Sequence, residues 1–264
     1  MIRYRVEPKP LPKVKAEHLP GVFGEFLDVV DSSIARFEAS RNRFDQEKAR
    51  FYRYLRERVD PVRFGEMQEA QLADAKLRPN SDIVKYIDPT LWFESKLKSA
   101  RQLNLADRAT TEILDIGTGP AHFPVVAEFY GHTVIGSDVP YRTTGQLERG
   151  HLYDALAEIY KVRRIPLKVE QFVPLPAFEK RFGLVTAFLA AFNMDADRKP
   201  WTIEAWNFFL NDLRDNVLTQ NGEVYMSLAD DKLTPEVWTY LSERADFATH
   251  VSKNIHITDF SRFG

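Results

Sequence analysis

The chain has no cysteine among its 264 residues, which removes disulfides, thiolate zinc sites, iron–sulfur clusters and cysteine nucleophiles in one step. It also lacks an apolar run long enough to cross a membrane. The longest, Leu184 to Phe192, has nine residues and includes a threonine, against about 20 for a spanning helix. No apolar run of signal-peptide length occurs near the start, where Met1-Ile2-Arg3-Tyr4-Arg5 leads into the stretch Pro8 to Lys15, so a cytoplasmic protein is expected. Neither sign of charge is in excess: 36 Lys and Arg face 38 Asp and Glu, and nothing overall draws the chain to nucleic acid. There is no low-complexity tract and no repeat at a spacing of about 20 to 50 residues. His18, His132, His151, His250 and His256 show no metal-ligand spacing, and no metal site is expected. What is present is an ordinary globular composition, 44% hydrophobic and 28% charged, on a chain long enough for one large α/β domain or a medium domain with an appendage.

The first part reads as helical. From Phe23 to Leu55 apolar residues recur three and four apart, and glycine and proline are absent from Glu25 to Asp60, which predicts one long helix stopped by Pro61. The series Val30, Ile34, Phe37, Arg41, Phe44, Lys48, Phe51, Leu55 keeps a heptad rhythm with two basic residues on its seam. Residues Arg36 to Arg63 carry nine Lys or Arg and five Asp or Glu. That basic side is read either as contact with an anionic partner, or, with the seam, as homodimerisation, or as an ordinary solvated face. A second helical stretch runs from about Asn80 to Asn104, broken at Pro89. Residues 1–105 are therefore taken as a helical N-terminal extension and 106–264 as the main domain.

From Thr111 the texture changes. Short β-rich runs (Glu112 to Ile116, Thr133 to Ser137, Leu167 to Phe172, Leu184 to Leu189, Val224 to Leu228) alternate with helical periodicity (Phe123 to Tyr130, Leu152 to Tyr160, Trp206 to Leu218, Pro235 to Ala245). That is the pattern of a parallel sheet covered by helices on both faces. Chemistry is concentrated in Glu112-Ile-Leu-Asp-Ile-Gly-Thr-Gly-Pro-Ala121, an apolar strand that ends in an acidic residue and runs into a glycine-rich turn and a helix start. Gly117 and Gly119 let the backbone turn sharply beside a ligand, and the helix-start amides offer donors. Pro120 and Pro124 fit only a first helical turn, so the helix begins near Ala121. The next strand ends at Asp138, 21 residues after Gly117, where a carboxylate can accept both hydroxyls of a ribose. A dinucleotide fingerprint would need glycine where His122 stands, and no Gly-Lys-Ser/Thr P-loop is present.

The segment Ile113 to Ala121 with Asp138 resembles the first two motifs of class I S-adenosylmethionine-dependent methyltransferases, in which the pattern is acidic-x-G-x-G-x-G; Ala121 stands at the third glycine. Val169 to Pro176 and Phe182 to Ala187 resemble later motifs of that family, with Gln171 at an acidic position and Gly183 at an aspartate. The resemblance covers about residues 110 to 250. It implies an α/β fold, a Rossmann-like seven-stranded sheet in order 3-2-1-4-5-7-6 with one antiparallel strand, the last two strands abbreviated or one missing near Val251 and Asn254 to Ile257. It implies S-adenosyl-L-methionine as cofactor, with Asp115, Gly117, Thr118 and Gly119 at its amino acid part and Asp138 at its ribose. Gln171 and Phe172 would lie beside adenine, His122 near the methionine portion, and Phe188 at the methyl-transfer site.

No residue is assigned to catalysis, because methyl transfer from a sulfonium is an in-line displacement in which alignment alone supplies much of the rate. Asn193, Asp195, Asp197, Asp230 and Asp231 follow two strands at the edge where open α/β sheets bind ligands and are acceptor-side candidates. Trp201 is a candidate for covering that pocket. The balanced charge, and the lack of an Asn-Pro-Pro-Tyr-like motif after the fourth strand, favour a small-molecule or glycan acceptor over nucleic acid. The rival readings are a non-catalytic cofactor-binding protein that engages a partner and an NAD(P)-dependent oxidoreductase.

Overall fold

The computed structural model describes residues 25–77, 86, 88–90, 92–139, 147–190, 192–195, 197–250 and 253–263. The chain forms two compact units, Met1–Leu91 and Trp92–Gly264. The leading residues 1–24, the helical stretch expected at 80–85 and Val251 lie outside the described residues.

In the first unit the single long helix expected from the periodicity is two helices, α1 (Phe26–Glu38) and α2 (Arg43–Arg58), packed on each other. The break needs neither glycine nor proline. Asn42 caps α2 by accepting from Phe44 N at 2.8 Å, Ser40 Oγ donates to Asp45, and Gln46 Nε2 donates to the carbonyls of Glu38 and Ser40 that end α1. Side chains thus satisfy both exposed helix ends. The fold-back turns the heptad seam inward, where Val30, Phe37, Phe51 and Leu55 are buried within the unit. Lys48 keeps its seam position by placing its ammonium over the rings of Phe37 and Phe44. Pro61 does not only end α2; it opens α3 (Pro61–Leu77), with Asp60 Oδ1 accepting from Val62 N.

The second unit begins with α4 (Phe93–Gln102) and continues β1 (Glu112–Ile116), α5 (His122–Phe129), β2 (Thr133–Asp138), α6 (Leu147–Ile159), β3 (Arg164–Pro166), β4 (Phe182–Phe188), α7 (Ile203–Asp212), β5 (Leu218–Ser227), α8 (Pro235–Arg244), β6 (Phe247–Thr249) and β7 (Asn254–Ile257). The sheet order is β3-β2-β1-β4-β5-β7-β6, with β7 antiparallel to both neighbours. This is the Rossmann-like sheet of class I methyltransferases, complete to its last two short strands. Leu114, Ile116, Val185, Ala187, Val224 and Met226 face one core with Trp206, Phe209 and Leu241. Alternate strand positions turn the other way, so Asp115, Thr186, Phe188 and Tyr225 share the opposite face.

One strand lies earlier than the alternation of Leu167 to Phe172 suggests. Parallel pairing needs a partner, and β2 ends at Asp138; Leu167 N donates to Asp138 O at 2.8 Å as the last contact of the ladder. Beyond it the chain keeps alternate burial of Leu167 and Val169, with no further strand pairing among the described residues. Among the described residues no helix is long and apolar enough to cross a membrane.

Candidate functional site

The turn after β1 is fixed from three sides. Asp115 is 2% exposed, and both its oxygens are occupied: Thr118 Oγ1 donates to Oδ2 at 2.5 Å and Thr186 Oγ1, from β4, donates to Oδ1 at 2.6 Å. Burial drives the carboxyl pKa up to about 6, against the pull of the two hydroxyls and of Lys96. Thr118 N donates to Ser137 O at 2.9 Å and Ser137 Oγ to Asp115 O at 3.2 Å, stitching the turn to β2. Gly117 has φ +66°, and a Cβ there would sit 2.5 Å from the Cβ of Ala190, so only glycine fits the turn and lets the segment after β4 approach. Gly136 serves the same end from β2, since its missing Cβ leaves room for Thr118. Ala121 takes the left-handed conformation, φ +62°, as the residue before α5, the geometry in which a glycine is common.

Asp138 stands at the tip of β2, adjoining the turn. Its Oδ2 accepts from Gly119 N at 3.0 Å and from Arg164 Nη2 at 3.2 Å, and its Oδ1 accepts from Val139 N at 2.9 Å. Arg164 is in turn held by Asp154 at 2.7 Å. The sheet therefore brings Asp115, Gly117, Thr118, Gly119 and Asp138 together at the C-terminal edge of adjacent strands, as sequence spacing required.

Against this edge stands a residue that the sequence reading passed over. Lys96 on α4 is half-buried, with its ammonium 3.7 Å from the centroid of the Phe188 ring. Burial lowers its pKa to about 8, while Asp115 opposes the shift. A signal was present: Lys96 falls on the stripe Phe93, Leu97, Ala100 that α4 buries, and a charge at helical spacing within an apolar stripe requires an explanation. Phe188 also meets Phe123 at 4.6 Å and Tyr225 at 5.8 Å between ring centroids.

His122 is 3% exposed, meets the edge of Phe93 at 4.8 Å, and leaves Nε2 with no hydrogen-bond partner. Burial first, and the Lys96 charge second, push its pKa down to about 3, so the ring is neutral at physiological pH. Gln171 and Phe172 lie in the turn between β3 and β4 rather than on a strand, with Phe172 at φ +58°, half exposed, and its ring edge-on to Phe208 at 5.9 Å.

The acceptor-side candidates separate. Asn193 is 1% exposed and donates to Lys232 O at 2.7 Å, clasping the loops after β4 and β5. Asp195 closes a tight turn by accepting from Lys199 N at 2.8 Å, Asp231 pairs with Lys232 at 2.9 Å and Asp230 with Lys253 at 3.5 Å. Among the described residues no group of three or more His, Asp or Glu is placed to hold a metal ion. Trp201 does not cover a pocket: it is buried among Phe192, Trp206 and Phe209, because the turn Met194 to Pro200 folds the chain back onto the core.

No family model matches the chain, and no curated protein does. Among solved structures, similarity is found to the ribosomal protein L11 methylase of Lactobacillus delbrueckii subsp. bulgaricus, 19% identical over 60% of this chain and 75% of that one, with a TM-score of 0.37. CalS10, an amino pentose methyltransferase from Micromonospora echinaspora, is 15% identical over 54% of each chain, with a TM-score of 0.38. The glycopeptide N-methyltransferase MtfA is 18% identical over 50% of this chain and 53% of its own, with a TM-score of 0.34. Likeness at this level adds no weight beyond the strand order and the residues gathered at its edge.

Proposed function

We propose that the chain is an S-adenosylmethionine-dependent methyltransferase that delivers the methyl group to an oxygen or nitrogen of a small-molecule or glycan acceptor. The observation that carries this reading is the pairing of the glycine turn with Asp138: Gly119 N and the Asp138 carboxylate are 3.0 Å apart, bridging the tips of β1 and β2. A nucleoside laid across those tips finds a carboxylate for its ribose and a turn without side chains beside it. The residues present fit the cofactor in two further respects. Among the described residues nothing lies closer to the missing Cβ of Gly119 than Tyr153 at 3.8 Å, and His122 Nε2 is a buried polar atom without a partner.

Bound, the cofactor would supply a methyl group on a sulfonium for displacement by an acceptor lone pair, the pair of the broken C–S bond remaining on sulfur and the acceptor proton passing to water. This chain's residues orient and shield. Asp115 acts through the turn it fixes and through its charge, since both its oxygens already receive hydroxyls. Asp138 would hold the ribose, Gln171 and Phe172 would border adenine, and His122, Lys96 and Phe188 would line the end toward β4, on the side of the sulfonium. With Asn193, Asp195, Asp230 and Asp231 engaged in loop contacts, acceptor alignment is left to supply the rate.

Calorimetry with S-adenosylmethionine, S-adenosylhomocysteine and NADH tests the proposal. Micromolar binding of the first two, weakened at least about tenfold in Asp138→Ala with an unchanged circular dichroism spectrum, is expected; removal of one charge-assisted hydrogen bond has that size. Binding of NADH in preference, or of neither sulfur ligand, would overturn it. Binding without methyl transfer to any acceptor pool would instead favour the non-catalytic reading.

A further inference from the structure

The inference rests on the cofactor reading above and concerns Lys96. Helix α4 presses this ammonium onto the Phe188 ring, and among the described residues it has no ion-pair partner. Among the described residues the groups that face it are few. Strand β1 contributes Asp115, whose oxygens are taken by hydroxyls, and α5 contributes the neutral His122. Strand β4 offers Thr186 and Phe188 and nothing that titrates. On β5 the Tyr225 hydroxyl donates to Gln102 of α4, Tyr160 just after α6 lies near His122, and on β2 Asp138 is paired with Arg164. An aromatic face attracts a cation, and here the cation in place is the protein's own.

We propose that Lys96 makes this pocket discriminate between the sulfonium and the neutral thioether: seated on Phe188, its ammonium opposes a second positive charge at the reacting centre. The opposition is greatest before transfer, smaller as the C–S bond breaks and the sulfur loses its charge, and gone in the product. Lys96 therefore weakens cofactor binding and lowers the barrier together, a difference between ground and transition states rather than a gain in both. Its amine titrates near pH 8, so affinity for the sulfonium rises between about pH 7 and 9 as the ammonium is lost. The thioether has no charge for the ammonium to oppose, so the effect is read in the ratio of the two constants, from which the α-amine common to both ligands largely cancels. Asp115 and His122 titrate near 6 and 3, below that window.

The test is calorimetric and needs no acceptor. Dissociation constants for S-adenosylmethionine and S-adenosylhomocysteine are measured at pH 7 and pH 9 for the parent, Lys96→Met and Lys96→Arg. At pH 7 the ratio of the sulfonium constant to the thioether constant should fall about tenfold in Lys96→Met, the effect of one unit charge a few ångströms away at a partly exposed site. It should not change with pH in that variant. Lys96→Arg should keep the parent's pH 7 ratio at both pH values. An unchanged ratio in Lys96→Met, or Lys96→Arg behaving like Lys96→Met, overturns the role. Should Lys96→Met fail to fold, the parent alone decides, because a ratio constant from pH 7 to 9 also overturns it. Loss of binding of both ligands by the parent would instead refute the cofactor reading. With an acceptor in hand, Lys96→Met should lower KM for the cofactor and kcat together, whereas loss of a general base would lower kcat alone.

Discussion

Replacing Asp115 by asparagine should stabilise the protein and impair its site, and the size of the gain follows from the burial of this carboxyl. In the unfolded chain an aspartate titrates near 3.8; in the fold burial raises Asp115 to about 6. Between about pH 4 and 6 the folded protein holds a proton that the unfolded chain has released, so stability falls as pH rises through that window. By pH 7.5 the cost is complete, about 3 kcal/mol; at pH 4.5 it is about 1 kcal/mol. Asparagine carries no charge, accepts from one threonine hydroxyl and donates to the other, and fills the same space. The pull of Lys96 on the carboxylate is already contained in that pKa of about 6. The net expectation is a gain of about 3 kcal/mol at pH 7.5 that shrinks to about 1 kcal/mol at pH 4.5. Urea unfolding followed by tryptophan fluorescence measures it cleanly, because all four tryptophans, Trp92, Trp201, Trp206 and Trp238, belong to the second unit. An Asp115→Asn protein no more stable than its parent at pH 7.5, or a gain as large at pH 4.5, would refute this account of a carboxylate held charged at a cost for the sake of the site.

Gly136→Ala would place a Cβ 2.9 Å from Thr118 Cγ2 and 3.0 Å from its hydroxyl; a loss of about 1–3 kcal/mol is expected in the same unfolding assay, with weakened cofactor binding because Thr118 is pushed from Asp115. Trp206→Ala should cost about 3–5 kcal/mol, as it empties a fully buried site. Trp206→Phe should cost much less, since it also removes an indole N–H that has no acceptor; equal losses for the two variants would show that the indole is hydrogen-bonded in solution.

The turn and its two acidic anchors were legible in the sequence because they depend on contiguous residues. An apolar strand, Asp115, two glycines two apart and a helix start are local patterns, and the spacing to Asp138 counts one helix and one strand. The alternation of strand and helix likewise led to a parallel sheet covered by helices; its order came from the resemblance, which left open whether the last two strands were short or one was missing. The first helices were misread because periodicity does not register a cap: Ser40, Asn42 and Gln46 end one helix and start another while the three-and-four spacing continues across them. Trp201 and Asn193 looked like pocket residues because position after a strand says nothing of which way a loop folds back.

Local sequence thus determined the alternation of strand and helix and the turn, where backbone conformation and hydrophobic period act over a few residues, while the strand order came from the resemblance. Tertiary structure alone decided that Thr186, 71 positions away, would complete the Asp115 carboxylate, and that Lys96 from a preceding helix would lie on the Phe188 ring. Those contacts set the charge of the site. Desolvation and Coulomb energy depend on distance in space and on depth from solvent, neither of which a linear spacing contains.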